Sequence, residues 1–166
     1  GLKYGLITDR PIVVSASLLL GLPIGKTAGG ETGILQTGDG EFNQLVRLEA
    51  STSVGNGYFT LLAGFNNRTN DFSDEVHYGF EVGYTYNEKL LGLVKVNGVS
   101  SLNNGNASGS AGSTIFSNNT EFISIAPELN YNLSDKWGIS GSAAFAVSGK
   151  NILAAPNYNL GVFYNL

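Results

Sequence analysis

The sequence predicts an all-β protein whose fold is an antiparallel transmembrane up-and-down β-barrel. The first observation behind this prediction is that apolar and polar residues alternate with a period of two through most of the chain, as β-strands do. The second is that most of the alternating segments reach the roughly 9–11 residues that a tilted strand needs to cross a bilayer. The third is charge. Asp, Glu, Lys and Arg make up 13% of the 166 residues, about half of their share in ordinary soluble domains.

Nine strands are predicted along the chain. We place them at residues 2–7, 12–23, 42–54, 57–66, 75–86, 90–101, 121–133, 137–148 and 156–166. The second strand has an apolar face that consists of Val14, Ala16, Leu18, Leu20 and Leu22. The third alternates more loosely, with Arg47 and Glu49 on the face opposite Val46 and Leu48.

The fifth and seventh strands alternate most clearly. The apolar faces that we predict to contact lipid are Val76, Tyr78, Phe80, Val82 and Tyr84 in the fifth strand and Ile123, Ile125, Leu129 and Tyr131 in the seventh. Small, polar or charged residues occupy the opposite faces. Among them are Gly79 and Gly83, where we expect a serine to cost far less stability than Arg or Lys in the middle of an apolar face.

The connections between the predicted strands are alternately short and long, as in membrane barrels. The short ones are residues 8–11, 55–56, 87–89 and 134–136, and the long ones are 24–41, 67–74, 102–120 and 149–155. A soluble barrel or sandwich would also alternate apolar and polar residues, but it should carry more surface charge. Aromatic residues near strand ends further favour a membrane barrel, in which they form girdles at the two interfaces. They are Tyr58, Tyr84, Tyr86, Tyr131, Trp137, Tyr158 and Tyr164.

Composition and motifs exclude several other functions. A net charge of −4 argues against nucleic acid as a partner, since phosphate binding needs a basic surface. The Gly-Lys-Thr at residues 25–27 is not a P-loop, because only three residues separate Gly21 from Gly25 where that motif has four. The chain has no cysteine, which leaves no disulfide and no thiolate metal site.

The faces opposite the apolar ones carry the candidate functional residues. The predicted lumen-lining polar residues are Arg47, Glu49, His77, Glu81, Lys95 and Glu128, accompanied by Lys3, Asn43, Asn97 and Asn130. Such residues either line a channel that selects solutes or form a salt-bridge network that fills the barrel. A three-residue turn at 87–89 would place Glu81 directly opposite Lys95, with Glu128 reaching Lys95 from the next strand.

Catalysis and metal binding are not expected. His77 is the only histidine, and it shares its predicted face with Glu81. A hydrolase would need a serine nucleophile beside that histidine, and the neighbouring inward position is Gly79. We therefore predict no enzyme activity, no cofactor and no metal.

The C-terminal segment NYNLGVFYNL has an apolar residue at every second position. The positions are Tyr158, Leu160, Val162, Tyr164 and Leu166. This pattern resembles the C-terminal signal of bacterial outer-membrane barrels, although Leu166 stands where phenylalanine is commoner. The resemblance implies recognition by the barrel assembly machinery, and it places the short connections in the periplasm and the long ones outside.

An odd number of strands conflicts with the even number of most single-chain bacterial barrels. We therefore interpret residues 1–166 as a single barrel domain that forms the C-terminal part of a larger barrel. Missing N-terminal strands or a partner chain would complete it. The chain alone is not expected to close.

Residues 20–51 resemble a particular outer-membrane family. Their strand end Leu-Pro-x-Gly, the Gly-rich loop and TGDGEFNQLVRLEAS resemble the family associated with meta-pathway phenol degradation, which is similar to the fatty-acid and aromatic-hydrocarbon transporters. The resemblance implies a barrel in the lipid of a Gram-negative outer membrane that passively takes up small molecules, including hydrophobic or aromatic ones. The alternative is a barrel that transports nothing and anchors a larger surface or secretion assembly.

Overall fold

The structure, a computed structural model, describes residues 1–27, 37–106 and 118–165. In these ranges the chain forms nine β-strands. They are β1 (Leu2–Ile7), β2 (Ile12–Gly21), β3 (Asn43–Val54), β4 (Gly57–Arg68), β5 (Glu75–Tyr86), β6 (Leu90–Ser101), β7 (Glu121–Asn132), β8 (Trp137–Lys150) and β9 (Asn157–Tyr164). All nine predicted strands are confirmed, with bounds that agree to within two residues.

The strands form one sheet in which each strand pairs with its neighbours in the sequence. The order is β1 to β9 without a crossover, and every pairing is antiparallel. Within the described ranges β1 and β9 are the edges of the sheet, so the sheet is not closed. The expectation that residues 1–166 alone do not close is confirmed, whereas completion by further strands or a partner chain stays a prediction.

The tight connections set the register of the sheet. The two-residue connection 55–56 pairs Val54 with Gly57, and Gly55 has a φ of +58°, which glycine adopts without steric cost. The connection 87–89 pairs Tyr86 with Leu90, and the Lys89 amide donates to the Tyr86 carbonyl at 3.2 Å. The predicted three-residue turn is therefore confirmed.

One face of the sheet is apolar and exposed. Paired residues in an antiparallel sheet point to the same face, and successive residues point to opposite faces. The predicted apolar residues of β5 and β7 lie together by this rule, since Phe80 pairs with Val96 and Val96 with Ile125. The exposed fractions of Val82 and Leu129 are 46% and 60%. The segregation of the two faces is confirmed, and contact of this face with lipid stays a prediction.

The sheet has almost no buried apolar core. In the described ranges the buried hydrophobic residues are Leu93 and Val99, and both lie on the face opposite the apolar one, paired with Gly83 and His77.

Within the same part of the chain, no helix combines the length and the apolar character needed to cross a membrane.

The aromatic residues that we expected in the interface girdles do not all lie on the apolar face, and Tyr58 is the exception. Tyr84, Tyr86, Tyr131, Trp137 and Tyr164 lie on the apolar face at the end with the short connections. The rings of Trp137 and Tyr164 meet edge to face at 4.9 Å. The assignment of Tyr58 to an interface girdle is wrong, because Tyr58 pairs with Gly83 on the polar face. The absent side chain of Gly83 leaves room there for the Tyr58 ring.

Two glycines on the polar face have little room for a side chain. A Cβ on Gly83 would lie 2.6 Å from Cζ of Tyr58, and a Cβ on Gly79 would lie 2.7 Å from the Val96 carbonyl oxygen. Both distances are far inside van der Waals contact. A serine at Gly83 therefore has to move the Tyr58 ring, and a serine at Gly79 has to move backbone. That these changes cost far less than Arg or Lys on the apolar face stays a prediction.

Candidate functional site

The six predicted lumen-lining residues share one face, which we call the polar face. Arg47 pairs with Gly64, which in turn pairs with His77. Glu81 pairs with Lys95. Glu128 pairs with Leu93, two residues from Lys95 and so on the same side. The grouping of Arg47, Glu49, His77, Glu81, Lys95 and Glu128 on one face is therefore observed, while its lining of a lumen stays a prediction.

The central cluster of the polar face consists of Tyr58, Glu81, Lys95, Glu128 and Asn130. Lys95 Nζ lies 2.9 Å from Oε2 of Glu128 and 3.8 Å from Oε2 of Glu81. The Tyr58 hydroxyl donates to Oε1 of Glu81 at 2.5 Å, and the Asn130 amide donates to Oε1 of Glu128 at 3.0 Å. Lys95 thus neutralises part of the charge of two carboxylates, as the register predicted.

A second charged group lies near the β1 edge. Lys3 Nζ donates to Oε2 of Glu49, and Arg47 Nη2 lies 3.7 Å from Oε1 of the same carboxylate. Arg47 Nε also donates to the Ser17 hydroxyl at 3.5 Å. Here one carboxylate, Glu49, contacts two cations from two strands. Around Lys95, one cation contacts two carboxylates.

A third group, at the end with the long connections, was not foreseen from the sequence. Arg68 donates from Nε to Glu41 and from Nη1 to Glu75, both at 2.6 Å, and its side chain is 6% exposed. His77 Nε2 lies 3.2 Å from Oε2 of Glu75, so its partner is Glu75 and not Glu81. Arg68 was missed because β4 was predicted to end at residue 66. Continuing the alternation by two residues would have placed Arg68 on the face of Asn66.

The loops above this group are joined by side-chain hydrogen bonds. Asp74 accepts from the Asn104 amide at 2.8 Å and from the backbone N–H of Arg68 at 3.0 Å. These two hydrogen bonds stabilise the carboxylate and hold the pKa of Asp74 below its usual value. Ser73, which is fully buried, accepts from the Gly105 amide and donates to Asn119. The connection 69–74 is thereby fastened to residues 104, 105 and 119.

The polar face contains a hollow of about 330 Å³. We call it the polar hollow, and the residues that line it include Lys3, Glu49, Ser51, Thr60, Glu81, Lys95 and Asn97. The sheet must curve around this space, since residues of β1 and β6 both line it. The polar hollow brings Glu81 and Lys95 of the central cluster into one space with Lys3 and Glu49 of the group near the β1 edge.

The apolar face has a larger groove of about 660 Å³. Its floor contains Gly92, Gly141 and Ala143, and Tyr84 and Leu129 lie beside them. The groove exists because small residues occupy positions where the neighbouring rows have large ones. It contains little polar chemistry, so the candidate site is the polar face.

The polar face offers binding chemistry more clearly than catalytic chemistry. In the ranges that the structure describes, no group of three or more His, Cys, Asp or Glu residues could hold a metal ion. Hydroxyl groups are present, and Ser51 and Thr60 hydrogen-bond to each other at 2.9 Å. His77 contacts Glu75 on its own strand. The absence of enzyme activity stays a prediction.

The predicted assembly signal lies on the exposed edge strand. Tyr158, Leu160, Val162 and Tyr164 share the apolar face through their pairing with β8, and Leu160 is 95% exposed. Leu166 lies outside the described residues. Recognition of this segment by the barrel assembly machinery stays a prediction.

Fold and site together define a class of structure: a single-layer, up-and-down antiparallel sheet with an exposed apolar face and a charged polar face. Comparison with known protein families, with curated proteins and with solved structures finds no match to this chain. The suspected relation to the phenol-degradation and fatty-acid-transporter families stays a prediction from residues 20–51.

Proposed function

We propose that the protein is a β-barrel of a bacterial outer membrane that lets small molecules pass without covalent chemistry. The observation that carries this proposal is the separation of large exposed apolar side chains from charged side chains on the two faces of one sheet. Large apolar side chains cover one face, and charged groups from β1, β3, β5, β6 and β7 gather on the other.

The exposed apolar face supports a membrane setting. Burying a large apolar side chain contributes about 1.5–3 kcal/mol, and this sheet leaves many of them uncovered, among them Leu2 at 79% and Val162 at 70% exposed. Soluble monomers seldom expose contiguous apolar surface of this extent. Lipid covers such a face in outer-membrane barrels, whose strands are apolar outward and polar inward.

The curvature of the sheet supports a passage on the polar side. The polar hollow lies on the concave side, where the lumen of a completed barrel would be. Passage of hydrophobic or aromatic solutes, which the resemblance of residues 20–51 implies, is part of this proposal only through that resemblance.

The test uses the full protein, located in cells and then reconstituted. We expect it in the outer-membrane fraction, resistant to extraction by carbonate. Vesicles that contain it should become permeable to small solutes, whereas protein-free vesicles and vesicles with heat-inactivated protein should not. Recovery from the soluble fraction, or vesicles as tight as the protein-free ones, would overturn the proposal.

The buried group around Arg68 favours a second candidate, a barrel that anchors a larger surface or secretion assembly. Arg68, Glu41 and Glu75 fill one end of the polar face with side chains that are 10% exposed or less. An interior filled in this way would block solutes. Tight vesicles together with a stable co-purifying assembly would support the anchor over the channel.

A further inference from the structure

We propose that the polar hollow binds small zwitterions, molecules that carry one ammonium and one carboxylate group, and that these are the preferred solutes. This inference rests on the proposed passage of small molecules and adds the class of solute. It differs from the hydrophobic solutes that the sequence resemblance implies.

The charges of the polar face nearly balance. In the described strands this face carries four cations and four carboxylates, namely Lys3, Arg47, Arg68 and Lys95 with Glu49, Glu75, Glu81 and Glu128. Each cation is within 4 Å of at least one of these carboxylates. Glu41, which lies before β3 and pairs with Arg68, adds a fifth carboxylate at the end with the long connections. A face with so small a net charge attracts cations or anions only weakly over long range, because the two potentials largely cancel.

Charges of both signs line the polar hollow. The pair of Lys3 and Glu49 and the pair of Lys95 and Glu81 both line this space. The Ser51 and Thr60 hydroxyls also line it. A bound zwitterion can therefore direct its ammonium to one carboxylate, direct its carboxylate to a lysine, and hydrogen-bond to neutral groups between them.

Glu81 and Lys95 retain capacity for such a ligand. Lys95 is closer to Glu128 than to Glu81, and its side chain is 37% exposed. An ammonium group has three N–H donors, so Lys95 can donate to a ligand carboxylate as well. Oε2 of Glu81 lies 3.8 Å from Lys95, beyond normal hydrogen-bond distance, and can accept from a ligand ammonium.

Other solute classes fit the polar hollow less well. An apolar solute would displace water from charged groups without replacing their hydrogen bonds, which is costly. A simple cation or anion could pair with only half of the charged groups. A zwitterion replaces the lost water at both signs of charge.

Glycine and its neutral isomer glycolamide provide a matched pair of probes, because they have the same atoms and nearly the same size. The experiment measures the entry of each into vesicles that contain the full protein. We expect glycine to enter several-fold faster and its flux to saturate, while the glycolamide flux rises linearly with concentration. Glu81→Gln keeps an acceptor for Tyr58 but removes the charge, so it should bring the ratio of the two rates towards one.

The control variant is Glu121→Gln, which removes a glutamate that is also ion-paired, to Lys150, but lies outside the polar hollow. It should leave the ratio unchanged, and a folded β-sheet signal by circular dichroism is required of both variants. Equal entry of glycine and glycolamide in the wild type would overturn the zwitterion inference while the proposed passage stands. No entry of either probe would overturn the proposed passage and the inference with it.

Discussion

Replacing Gly83 by alanine should displace Tyr58 from the polar face. The new Cβ would lie 2.6 Å from Cζ and 2.9 Å from the hydroxyl oxygen of Tyr58, so the ring has to move. The move breaks the hydrogen bond from Tyr58 to Glu81. Overpacking typically costs 1–3 kcal/mol, and a hydrogen bond to a charged group contributes about 1.5–3 kcal/mol. Because Tyr58 and Glu81 are only half-buried, water can replace part of this bond, and we expect a loss of about 2 kcal/mol.

The chain offers a matched control for this substitution. A Cβ on Gly141, also within a strand, would lie 3.6 Å from Cδ2 of Leu160, which is an ordinary contact. Gly141→Ala should therefore change the free energy of unfolding by less than about 0.5 kcal/mol. A double-mutant cycle adds Tyr58→Ala, in which the ring is gone and Gly83→Ala should cost little more.

The assay is chemical denaturation of the full protein in detergent micelles, followed by the fluorescence of Trp137 and by circular dichroism. Trp137 is the only tryptophan of the sequence. It lies at the start of β8, beside the short connection 134–136, and three strands from Gly83 in β5. Two results would refute the reasoning. One is an equal cost for Gly83→Ala and Gly141→Ala, and the other is a cost of Gly83→Ala that persists in the Tyr58→Ala background.

Three further predictions concern lipid contact, charge and pH. Phe80→Arg, in the middle of β5, should destabilise the protein in lipid by about 2–4 kcal/mol. A spin label at residue 82 should be more accessible to oxygen than one at residue 95, and the reverse order would reject the assignment of the faces. Lys95→Glu places a third carboxylate beside Glu81 and Glu128, so it should lower stability or make any pore more cation-selective, measured by denaturation and by reversal potential. The lowered pKa of Asp74 stabilises the fold above the unfolded value of about 3.9, and this stability is lost as the pH falls through the folded pKa. Wild type should therefore lose more stability on acidification than Asp74→Asn, and an NMR titration midpoint of Asp74 at or above 3.9 would contradict this.

The strand pattern and much of the register could be predicted because they depend on local signals. A period of two fixes which residues share a face, and a turn of known length fixes which residues pair. The segment Asn87-Glu88-Lys89 alone placed Glu81 opposite Lys95, and the structure confirms that pairing.

The contacts of Tyr58 and Arg68 could not be predicted in the same way. Tyr58 was assigned by its residue type, since tyrosines near strand ends are common at membrane interfaces. The alternation along β4 would have placed Tyr58 on the polar face. Its contact with Glu81, however, depends on the space above Gly83, which exists only once β4 and β5 are paired. The buried group around Arg68 depends on Glu41, which lies before β3, and no periodic pattern extends to such a residue.

The surface shape of the apolar face indicates what kind of layer can cover it. Gly92, Gly141 and Ala143 leave a groove of about 660 Å³ between larger side chains. A rigid protein partner would need side chains shaped to fill this groove, because voids at an interface forfeit dispersion contacts. A fluid acyl chain needs no such complementarity. An irregular apolar face, with only Leu93 and Val99 as buried hydrophobic residues in the described ranges, therefore favours lipid over a second protein layer.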